Sequence, residues 1–242
     1  MEDKHIIITG TSSGLGLGMA QYYLNEGYKV FGLARRNPAV ILNSTRYIHY
    51  YVDLKNELET TKIIDIILES INSIDLIILN SGVLGPIDFF DKISIEESKE
   101  VLDINLWANK IIIDKISNSD ITCKQVVAIS SGASQNGSAG WGAYSISKAS
   151  LNMLIKIYSS ENTDIHFASI APGLVDTQMQ EEISKMKNEN NFEAINRIQD
   201  ARGSDSMPSA NTIAKPLAKM IENIYKNETS GQFFDIRKYN IM

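Results

Sequence analysis

Short β-branched runs alternate with longer amphipathic segments from one end of the chain to the other, and few folds accommodate that pattern. The strand candidates are His5–Thr9, Lys29–Leu33, Arg46–Val52, Leu76–Asn80, Gln125–Ser130, Ile165–Ile170 and Phe233–Ile236. They are almost continuously apolar, as strands are when helices cover both faces of a parallel sheet. Between them the spacing predicts helices over Leu15–Glu26, Glu57–Ile71, Ile95–Ser117, Ala143–Ser160 and Ala210–Lys226. Such alternation implies βαβ units with right-handed crossovers. The expected fold is therefore α/β, a Rossmann-like doubly wound parallel sheet of about seven strands, forming one domain over residues 1–242.

Two stretches depart from the alternation. The link between the second and third strands holds Asn37-Pro38 and Asn43-Ser44-Thr45, with room for no more than a turn or two of helix. Gln178–Ser209 is rich in Lys, Glu and Asn and follows the sixth strand. It is too polar for core and is expected to be a substrate lid, with Glu181–Glu193 as its solvated face.

Composition narrows the partners. The 242 residues are 43% hydrophobic and 21% charged, with a net charge of −6. That balance excludes disordered and collagenous classes, and it argues against nucleic acid, which needs clustered Lys and Arg. The apolar run Ile6–Ile8 is too short for a signal peptide, and no segment is long and apolar enough for a membrane span. Cys123 is the single Cys, so no internal disulfide forms. A cytoplasmic protein is expected. His5, His49 and His166 lack the spacing of metal ligands, and no metal site is expected.

Thr9-Gly10-Thr11-Ser12-Ser13-Gly14-Leu15-Gly16 follows the first strand and opens the first helix. Glycines at such a bend let the backbone approach a pyrophosphate, which the helix N-terminus then stabilises. A nucleotide that carries no 2′-phosphate usually meets an acid about 20 residues on. Between Glu26 and Asp53 there is none, and the second strand instead runs into Ala34-Arg35-Arg36. Guanidinium groups suit a 2′-phosphate, so NADP(H) is favoured over NAD(H), with a solvated basic loop as the competing reading. Asp53 and Leu54, at the end of the third strand, and Asn80-Ser81-Gly82, at the end of the fourth, lie along the sheet edge where such ligands bind.

Tyr-x3-Lys occurs twice. Tyr51 and Lys55 straddle a strand end, where this spacing separates side chains. Tyr144 and Lys148 fall in the first turns of a helix, on one face. Ser131 lies thirteen residues before Tyr144, just past the fifth strand. A neighbouring ammonium and a helix N-terminus both lower a phenol pKa, so Tyr144 is expected to give a proton to a carbonyl oxygen that Ser131 holds.

Together these segments resemble the short-chain dehydrogenase/reductase family over essentially the whole chain. The resemblance makes Ser131, Tyr144 and Lys148 the catalytic residues, and Asn105 the Asn that holds a proton-relay water. It makes Lys148 a ligand of the nicotinamide ribose, and it reads Pro172-Gly173-Leu174-Val175-Asp176-Thr177 as the segment meeting nicotinamide and pyrophosphate. Leu79 and Ser81 depart from the family's Asn-Asn-Ala-Gly pattern at its first and third positions. Gly140-Trp141-Gly142-Ala143-Tyr144 and Asp176-Thr177-Gln178-Met179-Gln180 look like the sepiapterin reductase and bacterial benzil reductase branch. That likeness implies an NADPH-dependent reductase of a small ketone or diketone, aromatic or pterin-like.

Trp141 and Met179 are read as flanking the substrate, with plain packing the competing reading, and Asp235 as a pterin anchor or a solvent-facing strand end. A 3-oxoacyl carrier-protein reductase docking on Lys185, Lys187, Arg197 and Arg202 is the alternative substrate class. An NADP(H)-sensing interaction protein is the alternative from another class. Trp107 is expected in the core or a subunit interface, since the family resemblance implies a homodimer or homotetramer.

Overall fold

Ile6, Ile7 and Ile8 are all fully buried, yet they face opposite ways. Ile7 joins an apolar cluster with Ile64, Ile112 and Leu151, while Ile6 and Ile8 join one with Met19, Leu217 and Ile221. A strand buried on both faces in this way needs helices on both sides of its sheet.

The computed structural model describes residues 3–239 and shows that arrangement. Seven strands, β1 (His5–Thr9), β2 (Lys29–Ala34), β3 (Tyr47–Tyr51), β4 (Leu76–Leu79), β5 (Gln125–Ile129), β6 (His166–Ala171) and β7 (Gln232–Asp235), pair in parallel in the order β3-β2-β1-β4-β5-β6-β7. The order reverses between β1 and β4, and a crevice opens there at the carboxyl ends of the strands. Helices α1 (Gly14–Asn25), α2 (Glu57–Glu69), α3 (Ile95–Leu102), α4 (Ala108–Ser117), α5 (Gly142–Glu161), α6 (Gln178–Ser184), α7 (Glu193–Ala201) and α8 (Ala210–Asn227) complete the fold. α2, α4 and α5 cover one face, α1 and α8 the other. Among the described residues no helix is long and apolar enough to cross a membrane.

The doubly wound expectation is borne out, with local corrections. The link from β2 to β3 is as short as expected, with turns and no helix. The segment expected as one helix over Ile95–Ser117 is interrupted by a π-turn at Asp103–Trp107. Such a turn holds one residue more than the α-helix around it, and it carries Asn105 fully buried. Trp107, on the same turn, is 48% exposed and so is not core.

The largest correction concerns Gln178–Ser209. It forms α6 and α7 and carries an apolar cluster of its own, in which Ile183, Phe192, Ile195, Ile198 and Met207 pack with Trp141. Ala194, Ile195, Ile198 and Ala201 fall on one helical face despite the charged residues between them.

Candidate active site

The crevice is a cleft of about 630 Å³. Its floor at one end is the turn between β1 and α1. Gly10 has φ +76°, a left-handed conformation that favours glycine, and its N–H donates to Leu33 O at 2.8 Å. Gly10, Ser12, Ser13, Gly14 and Leu15 all line the cleft. Gly16 does not. A Cβ there would lie 2.3 Å from Gly10 O, so Gly16 lets α1 settle onto the turn instead of facing a ligand.

Side-chain hydrogen bonds hold this turn in place. Thr9 Oγ1 accepts from the N–H groups of Asn80 and Ser81, each at 2.9 Å, and Asn80 Nδ2 donates to Thr9 O at 2.9 Å. The ends of β1 and β4 are thereby locked together. Thr11 Oγ1 bonds Tyr47 OH at 2.8 Å, and Tyr47 OH meets His49 Nδ1 at 3.0 Å, tying the turn to β3.

Arg35 and Arg36 stand exposed on the cleft rim beside Asp53 and Leu54. Arg36 Nη2 reaches Gln178 Oε1 at 3.4 Å, and Asp53 Oδ1 accepts from the Lys55 N–H at 3.1 Å. The hydroxyl of Ser13 makes no capping bond to α1, whose first turn holds no acid. Its leading N–H groups therefore face the cleft with no capping or acidic side chain against them. Free N–H groups at one end and two guanidiniums on the rim form a donor set that fits a dinucleotide phosphate.

At the other end Ser131, Tyr144 and Lys148 line the same cleft. Ser131 caps a short turn, its Oγ accepting from Ala133 N at 3.1 Å, and Asn152 on α5 holds that turn through Ser134 Oγ at 2.8 Å. Lys148 is 4% exposed and donates to Ile129 O at 2.8 Å. Burial pushes its pKa down to about 8. Its Nζ lies 5.9 Å from the centre of the Tyr144 ring. Tyr144 keeps part of its surface open to the cleft, yet it is so densely surrounded that burial pushes its pKa up, and the Ser131 hydroxyl opposes part of that shift. The expected lowering by the ammonium is thus not what dominates. The second Tyr-x3-Lys pair is spread apart: Tyr51 is 58% exposed and Lys55 pairs with Glu100 at 3.4 Å.

Asn105 does not reach the cleft wall. Its Oδ1 accepts from Val83 N at 2.8 Å, and its Nδ2 donates to Val83 O and to Ser147 Oγ, both at 2.9 Å. Its side chain therefore fixes the loop after β4 and its distance from α5. Gly82 sits between Asn105 Oδ1 and Lys148 Nζ, where a Cβ would lie 3.2 and 3.4 Å from them. Gly82, Pro172, Gly173, Val175 and Thr177 line the cleft, as do Trp141 and Met179. The indole Nε1 of Trp141 is buried with no acceptor among the described residues, and its ring meets Tyr144 edge-on at 5.8 Å.

The short chain dehydrogenase family profile matches residues 4–188. The chain belongs to this family. A benzil reductase ((S)-benzoin forming) of Bacillus subtilis is 30% identical, covering 96% of this chain and 98% of that one. Its counterpart in Bacillus cereus is 32% identical over 90% and 94% of the two chains. Among solved structures, the YIR035C short chain dehydrogenase/reductase of Saccharomyces cerevisiae superposes with a TM-score of 0.85 at 23% identity, over 97% and 96% of the two chains. ElxO with NADP bound does so at 0.80 and 20%, over 97% of each. The chain is thus an oxidoreductase of the short-chain dehydrogenase fold.

Within this short-chain dehydrogenase, Asp235 departs from both expected placements. Asp235 neither lines the cleft nor faces solvent. Its side chain is 9% exposed, and both carboxylate oxygens grip Arg237, at 2.9 Å to Nε and 2.5 Å to Nη2. Arg237 holds its pKa below the ordinary carboxylate value. The residue that lines the cleft is Arg237. Of Lys185, Lys187, Arg197 and Arg202, Lys185 bonds Glu181 at 2.5 Å and Arg202 meets Asp176 at 3.6 Å.

Proposed function

We infer that this protein is an NADPH-dependent reductase of small ketones or diketones. The observation that carries the reading is the convergence of Ser131, Tyr144 and Lys148 on one cleft with the turn at Gly10–Leu15 and the Arg35–Arg36 pair. The names of the Bacillus relatives, benzil reductases, support a diketone substrate.

The N–H groups at the start of α1 hold the pyrophosphate, Arg35 and Arg36 the 2′-phosphate, and Lys148 the nicotinamide ribose. When bound, NADPH supplies the hydride that reaches the carbonyl carbon. Ser131 holds the carbonyl oxygen, and Tyr144 gives that oxygen its proton. Tyr144 is protonated at neutral pH and so carries the proton it gives; burial makes that proton harder to release, and the Ser131 hydroxyl opposes part of that effect. Lys148, ionised below about pH 8, stands beside the phenol and stabilises the charge that donation leaves. Asn105 acts by positioning the loop after β4.

α6 and α7 form the lid, with Met179, Met186 and Ile198 as its apolar wall. Trp107 joins Ile146, Met153 and Ile157 of α5 as exposed apolar side chains on the outer side of the α4–α5 layer, fitting a homodimer or homotetramer. The single thiol, Cys123, is buried with its pKa pushed up to about 12, in keeping with a reducing, cytoplasmic setting.

The test follows NADPH absorbance in the presence of a panel of diketones and ketones. Consumption that depends on the carbonyl is expected. Binding of NADPH with no turnover of any carbonyl would refute the reading in favour of a sensor.

A further inference from the structure

Among the described residues, Arg237 is the one cleft-lining cation that the catalytic scheme leaves unused and that lies against the loop carrying Ser131. A Cβ on Gly132, the residue after Ser131, would lie 3.3 Å from Arg237 Nη2, and one on Gly173 would lie 3.6 Å from its Cδ. Two glycines, one after β5 and one after β6, thus leave the groove in which this side chain lies. Asp235 then fixes the guanidinium from behind through Nε and Nη2, and also accepts from the Arg237 backbone N–H at 3.0 Å.

An arginine fork of this kind occupies one edge of the guanidinium and leaves the Nη1 edge. Nη1 has no hydrogen-bond partner among the described residues, and the side chain is 54% exposed along the cleft. The aspartate also cancels the positive charge. The pair therefore offers directed N–H groups with little net field, which matches a neutral oxygen better than a carboxylate.

We propose that Arg237, oriented by Asp235, is a specificity-determining residue that donates to the second oxygen of a dicarbonyl substrate while Ser131 and Tyr144 hold the first. The proposal rests on the reductase reading above and sharpens it to vicinal diketones. The adjacent C=O of such a substrate sits beside the reacting one, on the Gly132–Gly173 side of the cleft. A substrate with CH2 in place of that second carbonyl gains nothing from the guanidinium.

The experiment compares wild type with Arg237→Met on benzil, on deoxybenzoin (the same skeleton with one carbonyl reduced to CH2) and on phenylglyoxylate (a carboxylate in place of one ketone). The benzil-to-deoxybenzoin ratio of kcat/KM is expected to fall about tenfold in the variant, the loss of one hydrogen bond from a charged donor. An unchanged ratio overturns the proposal. So does a selective loss on phenylglyoxylate with benzil unaffected, which would assign the residue to an anion. Should Arg237→Met melt below the assay temperature, Asp235→Asn, which releases the guanidinium without removing it, is expected to lower the same ratio severalfold, and an unchanged ratio refutes the assignment.

A turnover-free readout separates this idea from the reductase reading. Benzil is titrated into the NADPH complex of Tyr144→Phe protein, with and without Arg237→Met, following nicotinamide fluorescence. If wild type reduces no carbonyl, the reductase reading fails; a roughly tenfold weaker Kd in the double variant still supports Arg237, and an equal Kd overturns it.

Discussion

Replacing Lys148 by Met tests how unfavourable it is to hold a cation inside the cofactor-free site. Lys148 is 4% exposed, and its one hydrogen bond among the described residues goes to the Ile129 carbonyl at 2.8 Å. No carboxylate pairs with it there, and burial holds its pKa at about 8 against an ordinary 10.5. The folded value lies below the unfolded one, so between those limits the unfolded chain binds the extra proton and stability rises with pH. The difference between the two values corresponds to roughly 3 kcal/mol, of which about 2 kcal/mol returns between about pH 7 and about pH 9.5. Met removes the whole cost and forfeits one hydrogen bond worth about 1 kcal/mol. Cofactor-free Lys148→Met should therefore be the more stable protein near neutral pH by about 2 kcal/mol, or roughly 4–8 °C in Tm for a chain of this size. The gap should nearly close by about pH 9.5, whereas groups common to both proteins, such as the Tyr47 phenol pushed up to about 12, cancel in the comparison. Melting curves of both proteins across that range, followed by circular dichroism, supply the measurement. Parallel curves with a pH-independent gap would refute the buried-cation account of the site.

Tyr144→Phe is expected to lower kcat by about 10²–10⁴-fold, the range for loss of a general acid, while NADPH affinity measured by fluorescence changes little. Arg35→Ala/Arg36→Ala should weaken NADPH binding by about tenfold or more and leave NADH binding nearly unchanged, and the difference should shrink in high salt. Thr9→Val leaves the N–H groups of Asn80 and Ser81 without their acceptor, so denaturant unfolding should report a loss of about 2–4 kcal/mol.

The strand pattern was legible because six of the seven strands are short apolar runs, and Ser131, Tyr144 and Lys148 were legible because their order and helical spacing carry the chemistry. The apolar side of Gln178–Ser209 was hidden by its composition. Ala194, Ile195, Ile198 and Ala201 form a helical stripe, but Glu193, Arg197 and Asp200 mask it in any average over the segment. The same bias fell on Asp235. An acid at a strand end attracts a ligand role, whereas the register of β7 turns it inward against Arg237 and the turn that follows delivers the arginine to the cleft. Thr9 opens the glycine-rich motif, but its structural task was hidden: its bonds to the end of β4 exist only once the sheet has formed. The Tyr144 shift was misjudged because spacing reveals a neighbouring charge but not how many atoms surround the phenol.

The π-turn at Asp103–Trp107 makes the chain vulnerable to a lesion that improves its local geometry. Deleting one residue there would restore an uninterrupted α-helix, the better-bonded form of that segment. The flanking helices would keep their faces, because the turn already absorbs the surplus residue, but Asn105 inside it would be drawn out of register with Val83 and Ser147. Helical content would stay level or rise while the loop after β4 lost its anchor. In this segment a length change is a more severe allele than most substitutions, and a helix-propensity score would rank the damaged sequence above the natural one.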